Sequence, residues 1–277
     1  MLPGLRESRR LLGLAMAAWC GLAASLAAQA PQEGKGPVWT VVGLRTGQCV
    51  RFLLDPGIAR RVLHEDARLI PANRDEKLYP ALRNVIQGQP DFATWVASSL
   101  CLYYGDALTL SGRRFGGKDP RKSQMIGLWS AAASEQGTGA RRDVVLDFFG
   151  VGGGLAQAAR YGKVKLNEVQ SSVSKVPGSG NDLYQVKIGK TRLVWNGRPA
   201  GDSTRVDQPI TESWLAKGTS GTLWKVSTTL RPEWSRPLVG VLSVEGKDDL
   251  AKALKASPIR FVGPLYQGGG AELRFSR

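Results

Sequence analysis

The residues best equipped for chemistry lie at positions 111–122, Ser-Gly-Arg-Arg-Phe-Gly-Gly-Lys-Asp-Pro-Arg-Lys. Arg113, Arg114, Lys118, Arg121 and Lys122 crowd several cations into one glycine-rich stretch. A lysine beside a second cation has its charged form disfavoured, so its amine is nucleophilic nearer neutral pH. Lys122 beside Arg121 fits that description, and the matching chemistry is a Schiff base with a keto acid. Without catalysis, Arg113, Arg114, Lys118 and Arg121 form a ligand-binding surface for an anion, or a solvated basic loop.

Other reactive groups are sparse. The single histidine, His64, excludes multi-histidine zinc or copper sites. It sits in the polar stretch Leu63-His64-Glu65-Asp66, no Gly-x-Ser-x-Gly elbow accompanies it, and it reads as a surface residue. Asp202, Asp207 and Glu212 fall in a polar loop, and Asp248-Asp249 falls at a helix start, where acids suit the dipole. No carboxylates are paired for glycoside hydrolysis. Gly150-Val151-Gly152 follows a strand as in a dinucleotide fold, but Leu155 fills the third position, which needs a small residue. The stretch therefore reads as a flexible glycine turn, and the sequence calls for no cofactor and no metal. Trp195, Trp214, Trp224 and Trp234 sit at strand positions and read as core, although exposed tryptophans would offer sugar platforms.

Location bears on how these groups act. Arg6, Arg9 and Arg10 precede an uncharged apolar run, 11–28, with small residues at Ala27, Ala28 and Ala30. That pattern predicts a secretory signal peptide over 1–30 and a Pro/Gly/charged linker over 31–37. The alternative is a retained N-terminal anchor. Ser8-Arg9-Arg10-Leu11-Leu12 also resembles a twin-arginine signal. The expected location is periplasmic or extracellular, with no membrane span beyond this segment. Of three cysteines, Cys20 lies in the leader. Cys49 and Cys101 remain, and in an oxidising compartment such a pair forms a disulfide; two buried thiols are the alternative. The net charge is +15. It favours anionic partners, yet the basic pairs are dispersed and equally serve solubility. No nucleic-acid-binding motif is present, and nucleic acid is not an expected partner.

The elements that must position these groups follow from periodicity. Strands are expected at 38–44 and 49–54 around a turn at 45–48, then a helix from Pro56 to Leu63. A second helix is expected over 76–87. Residues 91–104 read as a helical start passing into a strand carrying Cys101, with 108–110 as its hairpin partner. Strands at 125–133 and 143–149 and a helix at 155–161 follow. Beyond 162 the pattern is β: 164–169, 183–188, 191–195, 222–230, 238–244, 259–262 and 271–275. Asn196-Gly197 reads as a tight turn, and a helix covers 248–256. The class is α+β, predominantly antiparallel β, a curled sheet or barrel with a few packed helices. It forms one β-rich domain over 38–277, with a possible subdivision near 150–182.

The basic stretch resembles the acetoacetate decarboxylase-like superfamily, whose members carry Gly-Arg-Glu followed by Gly-x-Pro-Lys-Lys. Gly112-Arg113-Arg114 and Gly117-Lys118-Asp119-Pro120-Arg121-Lys122 echo that pattern. Residues 55–63 and Leu69-Ile70-Pro71 resemble the segments upstream of it. The resemblance implies a cone-like β-barrel around a small pocket. Arg121 stands where the family's Schiff-base lysine would be, Arg114 replaces the glutamate, and one residue is inserted before Pro120. It therefore implies a non-decarboxylating member, with Lys122 as a substitute nucleophile displaced by one position.

Three functions are consistent with these residues. One is an exported β-barrel-like protein binding a small anionic or apolar ligand. Another is a lyase using Lys122 as an imine-forming amine. The third is an envelope surface module holding an anionic polymer. The cysteine reading gives the first prediction: intact mass falls by about 2 Da without reductant relative to the reduced chain, and an unchanged mass removes the bridge.

Overall fold

The computed structural model describes residues 39–63, 67–110, 113–115, 124–135, 139, 141–150, 165–217, 221 and 223–276. Three α-helices lie among them. In α1 (Pro56–Val62), Asp55 caps the start, its Oδ1 accepting from the backbone N–H of Gly57 and Ile58 at 2.8 and 3.0 Å. The second helix, α2 (Pro80–Gly88), begins later than expected, because Pro80 belongs in a first turn and not in a helix interior. In α3 (Asp249–Ala256), Asp248 is the cap; its Oδ1 accepts from the Ala251 N–H at 3.0 Å and from the Thr191 hydroxyl. The apolar side of α3, Leu250, Ala251, Ala253 and Leu254, is buried as its spacing predicts. Arg61 of α1 reaches Asp249 of α3 at 3.0 Å. No helix among the described residues is long and apolar enough to cross a membrane.

The strands form one mixed sheet that curls into a ring. Its members are β1 (Trp39–Leu54), β3 (Val96–Leu110), β5 (Gln124–Glu135), β6 (Arg141–Gly150), β11 (Ile210–Lys217), β12 (Leu223–Arg231) and β16 (Leu265–Ser276). Each pairs antiparallel with the next in the order β6, β5, β3, β1, β16, β12, β11. A short parallel seam closes the circuit, Trp214 beside Asp143 and Leu215 beside Val144. Two expectations are corrected here. Residues 45–48 are not a turn: β1 runs through them, with register shifts at Val42/Leu44 and Leu44/Thr46 that absorb the irregularity as bulges. Residues 108–110 continue β3 and do not turn back; the partner is β4 (Arg113–Phe115). Short strands β2 (Ala67–Leu69), β10 (Thr204–Arg205), β13 (Trp234–Arg236) and β15 (Arg260–Val262) pair at the margins.

One buried cluster fills the ring, including Tyr103, Leu128, Phe148, Trp214, Trp224 and Phe275. A second lies on the outer face, where Phe52, Leu100 and Trp129 meet α3 and four further strands. Those are β7 (Leu166–Lys175), β8 (Asp182–Ile188), β9 (Thr191–Pro199) and β14 (Leu238–Glu245), and β7 joins the ring by running parallel to β6. The core reading of the tryptophans holds for Trp195, Trp214 and Trp224; Trp234 is exposed. The expected helix at 155–161 lies outside the described residues.

Asn196-Gly197 is a further correction. It lies inside β9, opposite Val241 and Gly240 of β14, while the actual two-residue turn is Gly189-Lys190. Gly197 is glycine for packing reasons. The Trp195 indole packs against Gly197 and Gly240: a Cβ on Gly197 would stand 2.4 Å from its Cζ2, and one on Gly240 2.9 Å from its Nε1. Gly197→Ala or Gly240→Ala therefore lowers stability by about 1–3 kcal/mol. Urea denaturation measures it, and an unchanged midpoint contradicts the packing.

Candidate functional site

Alternation along β1 and β3 places successive cross-strand pairs inside the ring: Gly47 with Tyr103, Cys49 with Cys101, Arg51 with Ser99. The Tyr103 ring crosses the open space over Gly47, where a Cβ would stand 3.0 Å from it. Cys49 and Cys101 are joined as expected, with Cα atoms 4.0 Å apart. From the opposite wall, Glu212 of β11 extends its carboxylate into this strip. Its Oε2 accepts from the Tyr103 hydroxyl at 3.1 Å, and its Oε1 lies 3.7 Å from Arg51 Nη2. Burial pushes the Glu212 carboxyl up, against the opposing pull of Arg51 and the Tyr103 hydrogen bond. Burial, then the Glu212 charge, pushes the Tyr103 phenol well above its ordinary value.

Above this cluster opens a cavity of about 250 Å³ lined by Arg51, Tyr79, Ser99, Asp143, Glu212 and Trp214. Its two arginines are held differently. Arg141 is held by carboxylates: Nε and Nη2 donate to Asp75 Oδ1 and Oδ2 at 2.7 and 3.0 Å, and Nη1 donates to Asp143 Oδ2 at 3.2 Å. This fork clamps the 71–79 segment to β6 as one wall. Arg51 is open. Its guanidinium stacks 4.8 Å over the Tyr79 ring, which in turn packs on Phe261 at 5.0 Å. No acceptor among the described residues comes within hydrogen-bond distance of it, Glu212 being nearest at 3.7 Å. Thr228, fully buried on β12 opposite Glu212 in the register, also has a hydroxyl without a partner among the described residues.

The residues singled out from sequence are distributed otherwise. Arg113 and Arg114 form β4 beside Leu110 and Thr109. Lys118, Arg121, Lys122 and His64 lie outside the described residues, as do Val151 and Gly152 of the glycine stretch. Cys49 and Cys101 are brought together. Arg51 and Tyr103 carry no motif in the sequence, and Glu212 reads there only as a loop carboxylate. Glu212 is corrected from a polar loop to a strand, where it shares the inward side with Ile210, Trp214 and Ala216. The alternation Ile-x-Glu-x-Trp-x-Ala at 210–216 carries that signal, a carboxylate on an apolar face.

No family model matches the sequence, and no curated protein matches it. Among solved structures the chain is similar to acetoacetate decarboxylase from Legionella pneumophila, at 13% identity and TM-score 0.47 over 91% of this chain and 92% of that one. It is similar to the enduracididine biosynthesis enzyme MppR at 13% identity and TM-score 0.43, over 88% and 87%. It is also similar to an acetoacetate decarboxylase-like enzyme from Sphingomonas wittichii at 8% identity and TM-score 0.42, over 86% and 90%.

A second cavity, about 360 Å³, lies on the outer face between Trp129, Phe149, Ile188 and Leu250. Asp147 enters it where a register shift at Trp129/Ser130 bulges β6. Its carboxylate accepts from the Phe148 N–H at 3.0 Å and Asn167 Nδ2 at 2.6 Å. Burial still prevails and raises its pKa from 3.8 to about 6. The fold favours the neutral form, so this group's contribution to stability is whole below the unfolded value and lost as pH rises through about 6. Carboxyl carbon NMR will show a titration midpoint near 6 that Asp147→Asn removes; an ordinary aspartate midpoint contradicts the burial.

Proposed function

We propose that this is an exported binding protein that holds a small anionic ligand, a carboxylate or similar oxyanion, inside the strand ring. The observation that carries the reading is Arg51. It is a partly buried guanidinium that stacks on the Tyr79 ring and lines the cavity, paired with the Glu212 carboxylate only at 3.7 Å, beyond hydrogen-bond length. A hydrogen bond to a charged group contributes about 1.5–3 kcal/mol net, so an anionic ligand that reaches this guanidinium gains a contact the fold leaves open. A planar fork suits a carboxylate in two-point contact.

The neighbours define what else the ligand meets. The Ser99 hydroxyl, 3.0 Å from that of Ser130, offers a polar edge, and Trp214 an apolar wall. The cavity is below the roughly 300–1,000 Å³ typical of drug-sized ligands, so the ligand is small. Asp143 and Glu212 at the rim disfavour a second anionic group and select for a single charge. The Cys49–Cys101 bridge suits the oxidising compartment to which the leader sequence points.

Calorimetric titration with acetate, pyruvate and acetoacetate tests the reading. The expected result is binding of at least one, weakened about ten- to hundred-fold by Arg51→Ala and less by Arg51→Lys, as loss of a charge-assisted pair predicts. Equal affinity in Arg51→Ala, or no binding of any of the three, overturns it.

A further inference from the structure

The disulfide has a neighbour that a purely structural bridge does not need. Cys49 and Cys101 sit directly opposite each other on β1 and β3, and both sulfurs point into the ring. Across the ring, a Glu212 carboxylate oxygen lies within 4.8 Å of both sulfurs. We propose that the dithiol form of this pair, together with Glu212, is a binding site for a thiophilic divalent cation. Zinc is the probe, and the fourth position is left for water or a ligand in the cavity that Glu212 lines.

The chemistry of the donors supports this class of ion. Two thiolates and a carboxylate suit zinc, which takes sulfur at about 2.3 Å and oxygen at about 2.0–2.2 Å. Those lengths require ligand atoms about 3.3–3.8 Å apart in a tetrahedron, so the carboxylate closes by about 1 Å and the opened sulfurs separate by rotation about their side chains. Adjacent strands present both sulfurs from the same side, which is a chelating placement. Charge also balances. Two thiolates and Glu212 are three negative charges, and zinc with Arg51, 3.7 Å from Glu212, supplies three positive ones. Three protein ligands and one open position is the arrangement of reactive zinc sites, whereas purely structural ones are closed by four.

Loading is conditional on redox state. A dithiol donor reduces the bond, giving two electrons and two protons to the sulfurs and leaving as its own disulfide. Zinc then displaces the two thiol protons to solvent and binds the thiolates. In the bridged form Cys49 and Cys101 are bonded to each other and the pair offers no thiolate, so this site binds no ion.

The test uses the full chain, divided into an untreated portion and one reduced anaerobically with a phosphine and desalted. Each is given cobalt(II), for its thiolate-to-metal charge-transfer band, or zinc, followed by native mass spectrometry. The reduced chain is expected to show the band and retain one zinc, and the untreated chain neither. In the reduced state Glu212→Gln is expected to weaken zinc about tenfold or more while keeping the band, because the thiolates remain. A reduced chain that retains no zinc overturns the proposal. So does zinc binding by the untreated chain, or wild-type affinity in reduced Glu212→Gln. No carboxylate ligand is added, so the result is independent of the Arg51 reading, and no cysteine substitution in the ring is needed.

Discussion

The seam between β6 and β11 is two residue pairs long, and the site exists because of it. Without that parallel contact the strands would form an open curled sheet, and Glu212 would sit on a free edge in water. Closing the circuit turns the inward side of β11 towards β1 and β3. A carboxylate from one wall then meets a phenol, a guanidinium and a disulfide from the other. Closure also removes edges that would otherwise template aggregation. The clamp of Arg141 on Asp75 and Asp143 acts at the same place, since Asp143 is the seam partner of Trp214.

Below the cavity the ring is packed with aromatic and aliphatic side chains, and polarity is concentrated at one level. That concentration has a cost. A carboxyl in an apolar surround is pushed towards its neutral form, and a buried hydroxyl such as that of Thr228 loses its water. Tyr103 and Arg51 offset part of it for Glu212. Polar interiors of this kind are usual where a protein meets a ligand, because a fold selected for stability alone does better with apolar residues of the same volume.

Local signals were well written in the sequence. Asp55 before Pro56 and Asp248 before an apolar-spaced run mark α1 and α3 within a residue. The alternation of Trp224, Val226, Thr228 and Leu230 marks β12 and its inward side. What failed was mostly non-local. Asn196-Gly197 has the composition of a turn but serves the Trp195 indole, a fact set by β14 packing alongside. Polar residues at 45–48 look like a turn because bulges in β1 break its alternation. The basic stretch at 111–122 drew attention because its residue types are reactive together in sequence. Arg51, Tyr103 and Glu212 are more than fifty and one hundred residues apart and share nothing until register and ring closure bring them together.

A crystal structure of the full chain grown with a small carboxylate is the most direct test that the ring interior is a ligand site. The account predicts density for the carboxylate in the cavity beside Tyr79 and Trp214, within hydrogen-bond distance of the Arg51 guanidinium. An empty cavity in which Arg51 has closed onto Glu212 would contradict it.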